Sequence, residues 1–389
     1  MTSLSRQPPA HVYGLDVMRA LAILFVLVGH TFEHSKIPAD LQAYGRLGIL
    51  GVELFFVLSG FLIGGILIRM IEAGELVSWN GAVGFWKRRW MRTLPLYFVA
   101  LVAFLRFDYH GRHALLDYPA YFVFLQNFAW RIPDFFELSW SLAVEEHFYF
   151  WFPLVYLAWS AVTRRGLAFV LTAVTFIAVA YGFRLAQPQF TDWNEYNGWI
   201  RLTVLSRLDA IMFGVLCAAL KHHAPRVFDG IRRAAPLTGT LFALLCFWWF
   251  MGIPHLMQSR ALQVNIFTVQ ALLGALLLPW FDSLRSEQPR NDFFTVTSRL
   301  SYSLYLGHIL VIVAVNRTLG ALGVFDQTYG NPLLLYPLYF VLFYFLAWTT
   351  HHLVERPFLR LRDEPLTWRT AGRASWFTGA VSAAMVALF

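Results

Sequence analysis

The stretch "LDVMRALAILFVLVGHTFEH", residues 15–34, decides what kind of protein this is. It is long enough to cross a bilayer, which takes about 20 mainly apolar residues. Yet Asp16 and Arg19 stand at one end of it, and His30, Glu33 and His34 at the other. Ionisable side chains inside membrane helices are costly, and they usually face a cavity or a functional path rather than lipid. Arg19 and His30 are eleven residues apart. At about 100° per residue that is three turns plus about 20°, so both leave the same face, about 16 Å apart along the axis. Asp16 lies one turn before Arg19 and can pair with it. The plainer account is that Arg19 reaches to the interface and His30 bonds a neighbouring helix.

Composition extends the membrane reading to the whole chain. Its 389 residues are 58% hydrophobic and only 14% charged, with a mean hydropathy of +0.54. A soluble domain carries about a quarter charged residues. The expected fold is therefore an all-α polytopic integral membrane protein with about ten transmembrane helices. Apolar runs place them at 15–33, 48–71, 94–107, 139–159, 167–183, 202–220, 237–253, 262–281, 300–315 and 333–354. The piece "YPAYFVFLQNFAW" (118–130) is read as a short re-entrant or interfacial helix, and "WFTGAVSAAMVALF" (376–389) as a partial or interfacial one. This divides the chain into an N-terminal segment (1–14), a transmembrane domain (15–358) and a basic tail (359–389). No cleavable signal is expected, because the first run is too long for a signal core and "GHTFEH" is no small-residue cleavage site. Cys217 and Cys246 both sit in apolar runs and say nothing of redox compartment.

The formal charge of +8 points to topology rather than to nucleic acid. With both termini in the cytoplasm, about twenty basic residues fall inside and about nine outside, as the positive-inside rule requires. The inner set includes "KRRWMR" (87–92), Arg164, Arg165, Lys221, Arg226, Arg232, Arg233, Arg285, Arg290 and Arg299, then Arg356, Arg360, Arg362, Arg369 and Arg373. The opposite orientation, or an extra crossing at 118–130, destroys that bias. The loop around His110 is then periplasmic. No nucleic-acid partner and no metal centre are expected.

Other spans also carry polar groups. Glu53 and Ser59 interrupt "GVELFFVLSGFLIGG", Glu145, Glu146 and His147 follow Ser141 in the fourth span, and Arg207 and Asp209 lie in "RLDAIMFGVL". Ser301, Tyr302, Ser303 and His308 lie in "SYSLYLGHILV". Any one could be packing; together they describe a polar interior across the membrane. The basic run is by itself a topology signal. If the chain is helical there, however, Arg88 or Arg89 forms a one-turn cluster with Arg92, and guanidinium forks suit phosphate oxygens.

These fragments, in this order, resemble the acyltransferase family 3 membrane proteins, over most of the chain from Leu15 to Phe358. "LDVMRALA…GH" resembles the family's first helix, "FFVLSGFLI" its second and "RRWMRTLPLY" its arginine motif. "SWSLAVEEHFYFWFP", "SYSLYLGH" and "ERPF" resemble later signatures. There are departures: the family often has Asp at the place of Glu53 and Gln at that of His147, and Val17 and Ala20 replace usual glycines. Some relatives carry a fused periplasmic esterase-like domain, and none is read here.

The resemblance implies an O-acyltransferase that moves an acyl group, by default acetyl, from cytoplasmic acyl-CoA to a hydroxyl of a cell-envelope carbohydrate. Exopolysaccharide, O-antigen and glucan are the candidate acceptors, free or lipid-linked. It implies no permanently bound cofactor, and a multi-pass protein of the plasma membrane, the inner membrane of a bacterium. Acyl transfer needs a base for the hydroxyl proton and donors for the developing oxyanion. A neutral histidine suits the first task at physiological pH. The expected catalytic residues are His30, Arg19, Glu145 and Glu146. Arg88, Arg89 and Arg92 are expected to hold the CoA phosphates. An acyl-His30 intermediate is competing chemistry, and His147 a second candidate base. The rival functions are a proton-coupled exporter of a small molecule or lipid-linked glycan, for which no inverted repeat or paired broken helix is read, and a lipid-binding structural or sensor protein.

Overall fold

The computed structural model describes residues 11–34, 42–107, 118–251, 253–287, 290–321 and 332–362. The terminal apolar segment, most of the basic tail and the His110 loop lie outside them. The protein is all-helical, with no strand among the described residues beyond an isolated bridge between His11 and Ser286. The long helices are α1 (Tyr13–His34), α2 (Leu47–Glu72), α3 (Trp79–Phe107), α4 (Ser139–Val162), α5 (Arg165–Ala186), α6 (Val204–His223), α7 (Ala235–Met251), α8 (Arg260–Ser283), α9 (Phe293–Ala321) and α10 (Pro332–Thr350). Each of the ten expected runs overlaps one of these helices, though 202–220, 237–253 and 333–354 run past the ends of theirs. Among the described residues, five helices are long and apolar enough to cross a membrane, or up to seven if two bent pairs each count once. This is a multi-pass membrane protein.

α2 is the axis of the bundle and is buried along most of its length. Hydrocarbon supplies no hydrophobic drive between helices, so small residues that allow close approach set the contacts. A Cβ at Gly60 would stand 2.0 Å from the Ile211 carbonyl oxygen, and one at Gly214 2.0 Å from that of Val57. Backbone of α2 therefore lies directly against backbone of α6. The opposite side of α2 meets α1 in the same way, where a Cβ at Gly29 would lie 2.4 Å from the Gly48 nitrogen.

Two helix-interior prolines free a carbonyl one turn earlier, and each finds a donor from a neighbouring helix. Pro153 frees the Tyr149 carbonyl, which accepts from the Trp86 indole at 2.9 Å. Pro279 frees that of Ala275, which accepts from the Cys217 thiol at 3.6 Å.

Three expectations are corrected. The basic run is not a loop before a short third span: α3 begins at Trp79 and carries Lys87 to Arg92 in its middle. The helix expected near 118–130 is a single turn, Pro119–Phe122, followed by irregular chain. Several backbone groups of that chain are satisfied by protein, the condition on which irregular chain is tolerated at membrane depth. The Asn127 and Phe128 carbonyls accept from the Val204 and Leu205 amides at 2.9 and 3.1 Å, capping the start of α6. Finally, broken helices do occur. Trp193–Arg201 meets α6 at 59°, and Pro225–Arg233 meets α7 at 63°.

Candidate active site

Buried charge in this bundle comes in two kinds. The first is mutually paired. Glu53 of α2 takes the Arg207 guanidinium of α6, which also lies over the Phe267 ring with its carbon 4.0 Å from the centroid. Asp209 accepts from Arg184 at 2.7 Å and from Thr268 at 2.7 Å. These groups belong to the packing of α2, α5, α6 and α8.

The second kind surrounds a cavity of about 400 Å³ between α1, α2, α3, α4 and α9. Its wall on α2 runs from Val52 to Arg69, roughly 25 Å at 1.5 Å per residue. Arg19, Arg69, Arg89, Arg92 and Arg362 line it, and Glu145 is the one acid among the lining residues. Arg69 and Arg92 are exposed, so the cavity opens at the arginine end. Among the described residues no carboxylate lies within salt-bridge range of Arg69, Arg89 or Arg92, and the buried Arg89 Nε meets no acceptor. Arg19 is held in place by polar neighbours. Its Nη1 donates to Ser298 at 3.4 Å and stands 4.0 Å from Asp16, which in turn accepts from Ser298 at 2.6 Å.

Further in, hydroxyls replace guanidiniums. Tyr149 donates to Glu145 at 3.0 Å, and its oxygen lies 3.2 Å from that of Ser59. Ser141 and Tyr305 share a 2.5 Å hydrogen bond. The wall ends near Val52 and Tyr305.

The residues singled out in the sequence are thus partly gathered and partly separated. Arg19, Arg89, Arg92 and Glu145 share the cavity. Arg88 does not reach it and turns to the Met70 sulfur at 3.5 Å. Glu146 is buried against α3, accepting from Thr93 at 2.6 Å. His147 is also outside: its Nε2 donates to the Phe124 carbonyl at 3.0 Å, and its ring lies against Phe128. Phe124 has a left-handed backbone, φ 58°, so His147 fixes an uncommon turn of the irregular segment. A glutamine amide can make the same donation, which accounts for the Gln that the resemblance leads one to expect.

His30 is one turn beyond the walls. A Cβ at Gly48 would be 3.7 Å from its Nε2, and Gly48 is one turn before Val52 on α2. Its Nδ1 is 2.8 Å from His308 Nε2, and His308 is one turn after Tyr305 on α9. Sequence reading missed Arg69, although Ser59, Leu62, Ile66 and Arg69 form a single helical stripe. It also missed Arg362, Tyr149 and the association of His308 with His30.

Comparison with known proteins gives a consistent result. The family described as "Acyltransferase domain" matches residues 12–352. An inferred O-acetyltransferase of Staphylococcus aureus (strain COL) is 24% identical over 387 residues, covering 92% of this chain and 59% of the relative. The chain thus spans less than two thirds of that relative's length. Nodulation protein 10 of Rhizobium leguminosarum bv. viciae is 25% identical over 380 residues, 90% of this chain and 94% of the relative. The peptidoglycan O-acetyltransferase OatA of Listeria monocytogenes is 30% identical over 179 residues, 41% of this chain and 27% of that protein. No solved structure matches the chain significantly.

Proposed function

The chain belongs to the acyltransferase domain family, and we propose that it transfers an acyl group, by default acetyl, from acyl-CoA to a hydroxyl of a cell-envelope carbohydrate. The observation that carries this reading is the long cavity whose mouth holds Arg69, Arg89 and Arg92 with no carboxylate in salt-bridge range among the described residues. Such a mouth suits a polyanionic ligand whose apolar arm continues inward, because guanidinium–phosphate contacts are strong and directional. In this reading Arg69, Arg89 and Arg92 hold the phosphates of CoA. Its arm runs past Arg19 and Glu145, and the thioester comes to rest near Tyr305.

The chemistry balances as follows. The acceptor hydroxyl, approaching from the His30 end, attacks the thioester carbonyl while its proton passes to His30. Hydroxyl donors around Ser141 and Tyr305 stabilise the oxyanion. The C–S bond breaks, and His30 returns the proton to the departing thiolate, leaving an ester and free CoA. In this reading Glu145 polarises the site through Tyr149, which donates to it, and Glu146, held by Thr93, acts from outside the cavity lining. The breaks in the bent helix pairs lie off the cavity, whereas a transporter reading needs them at the binding site.

The reading includes a topology: ten crossings, both termini and the arginine mouth in the cytoplasm, in a bacterial inner membrane. A cysteine placed at position 88 should resist impermeant reagents added to the periplasm. Labelling from that side would overturn this layout. The decisive functional experiment is mass spectrometry of surface glycans with and without the gene, beside CoA release from acetyl-CoA by purified protein. Identical glycans together with no release would sink the proposal.

A further inference from the structure

His308 is buried in α9, and its two ring nitrogens have different duties. Nδ1 lies 3.0 Å from the Leu304 carbonyl oxygen, one turn earlier on the same helix. A carbonyl oxygen can only accept, so Nδ1 carries the hydrogen. In the neutral ring, Nε2 then has the lone pair, and it lies 2.8 Å from His30 Nδ1. The bond between the rings therefore runs from His30 Nδ1–H to His308 Nε2. The two ring planes differ by 6° and their centroids are 5.0 Å apart. That separation is close to the N···N distance plus both ring radii, so the rings meet edge to edge rather than face to face. An imidazole lone pair lies in the ring plane, and this arrangement points it straight at the donor.

We infer that His308 is a positioning residue that holds His30 in the tautomer protonated at Nδ1, so that Nε2 bears the lone pair that takes the acceptor proton. The inference rests on the acyl-transfer reading above. The device works like the carboxylate that orients a catalytic histidine, but its partner is neutral and is itself fixed by a main-chain carbonyl. No second buried charge is required. When His30 becomes an imidazolium, its Nδ1–H bond to His308 becomes charge-assisted and strengthens, which favours the proton transfer without preventing its return to the thiolate. The geometry also places Nε2 sensibly. It lies toward Gly48, where α1 and α2 touch backbone to backbone.

The test uses the full-length protein in lipid nanodiscs, labelled with ¹⁵N-histidine, with the His30 signals identified by their loss in His30→Ala. In the unsubstituted protein His30 should show the shifts of an Nδ1–H tautomer. His308→Leu should move it toward the Nε2–H form, and His308→Gln, whose amide oxygen still accepts, should keep it. CoA release should fall roughly a hundredfold in turnover for His308→Leu, with the KM for acetyl-CoA changed by less than about twofold. His308→Gln should recover most of the rate. A histidine at position 30 protonated at Nε2 in the parent protein would overturn the inference, as would a tautomer indifferent to His308→Leu. If that variant does not fold, the parent spectrum and the glutamine variant still decide. If the parent releases no CoA, the acyl-transfer reading fails while the tautomer measurement stands.

Discussion

The Glu53–Arg207 pair and the arginines of the cavity mouth both place charge within one helical bundle, but they are built to opposite ends. At Glu53–Arg207 acid and base meet fully buried, with an aromatic face closing over the guanidinium. Around the cavity, Arg69, Arg89 and Arg92 converge with no acid in reach among the described residues, and two of them are exposed. A membrane helix retains a charge either because a partner neutralises it or because something that arrives later does. α2 carries one of each: Glu53 faces α6, while Arg69, sixteen residues on, faces the cavity. Charge count alone does not tell a scaffold from a site; the presence of the counter-charge does.

The largest expected effect lies in the closed pair. Glu53→Leu or Arg207→Leu alone should destabilise the protein by about 3–5 kcal/mol, because the remaining charge is buried without a partner. The double Leu variant should regain most of that loss. Thermal unfolding in detergent measures both, and a double variant as unstable as the singles would erase the contrast with the open cluster.

A smaller effect, and of a different sort, is expected at the mouth. Arg69→Ala, Arg89→Ala and Arg92→Ala should leave the unfolding temperature nearly unchanged, since none of the three is in an ion pair among the described residues. Each should weaken CoA binding by about 1.5–3 kcal/mol, roughly tenfold or more. Unaltered affinity in all three, measured by calorimetry, would reduce the mouth to a topology signal.

The smallest effect should be at Arg88, between those neighbours in sequence but turned to Met70. Arg88→Ala should change CoA affinity by less than about twofold. A loss equal to that of Arg89→Ala would mean that charge density rather than direction governs the mouth.

What the sequence made legible follows this division. Helical runs, the shared face of Arg19 and Asp16 and the polar interior are local or periodic features, and 3.6-residue geometry exposes them. Adjacent residues are different, because they leave a helix about 100° apart. Hence Glu145 reaches the cavity and Glu146 does not, and Arg89 does and Arg88 does not. Neither could be read before the orientation of α3 and α4 was known. Arg69 lies two residues before the end of the expected second span (48–71), and its role depends on α3 packing beside it. The irregular chain at 118–130 was obscure because its apolar residues imitate a helix while its Asn127 and Phe128 carbonyls accept from amides at the start of α6. The His30–His308 contact joins residues 278 positions apart, and no spacing rule reaches that far.

The same long separation has a consequence in time for Glu53. Its arginine partner lies 154 residues later in the chain. At a synthesis rate of about 5–20 residues per second, the acid of α2 is made about 8–30 s before Arg207. For that interval the bilayer would receive a helix bearing an acid with no counter-ion, and Gly60 without the Ile211 backbone to pack against. The nascent α2 must therefore wait, neutral or still sheltered by the insertion machinery, until α6 is delivered. The pairing of these two helices therefore waits on the synthesis of everything between them, and a ribosome pause there would lengthen the interval in which Glu53 lacks its arginine.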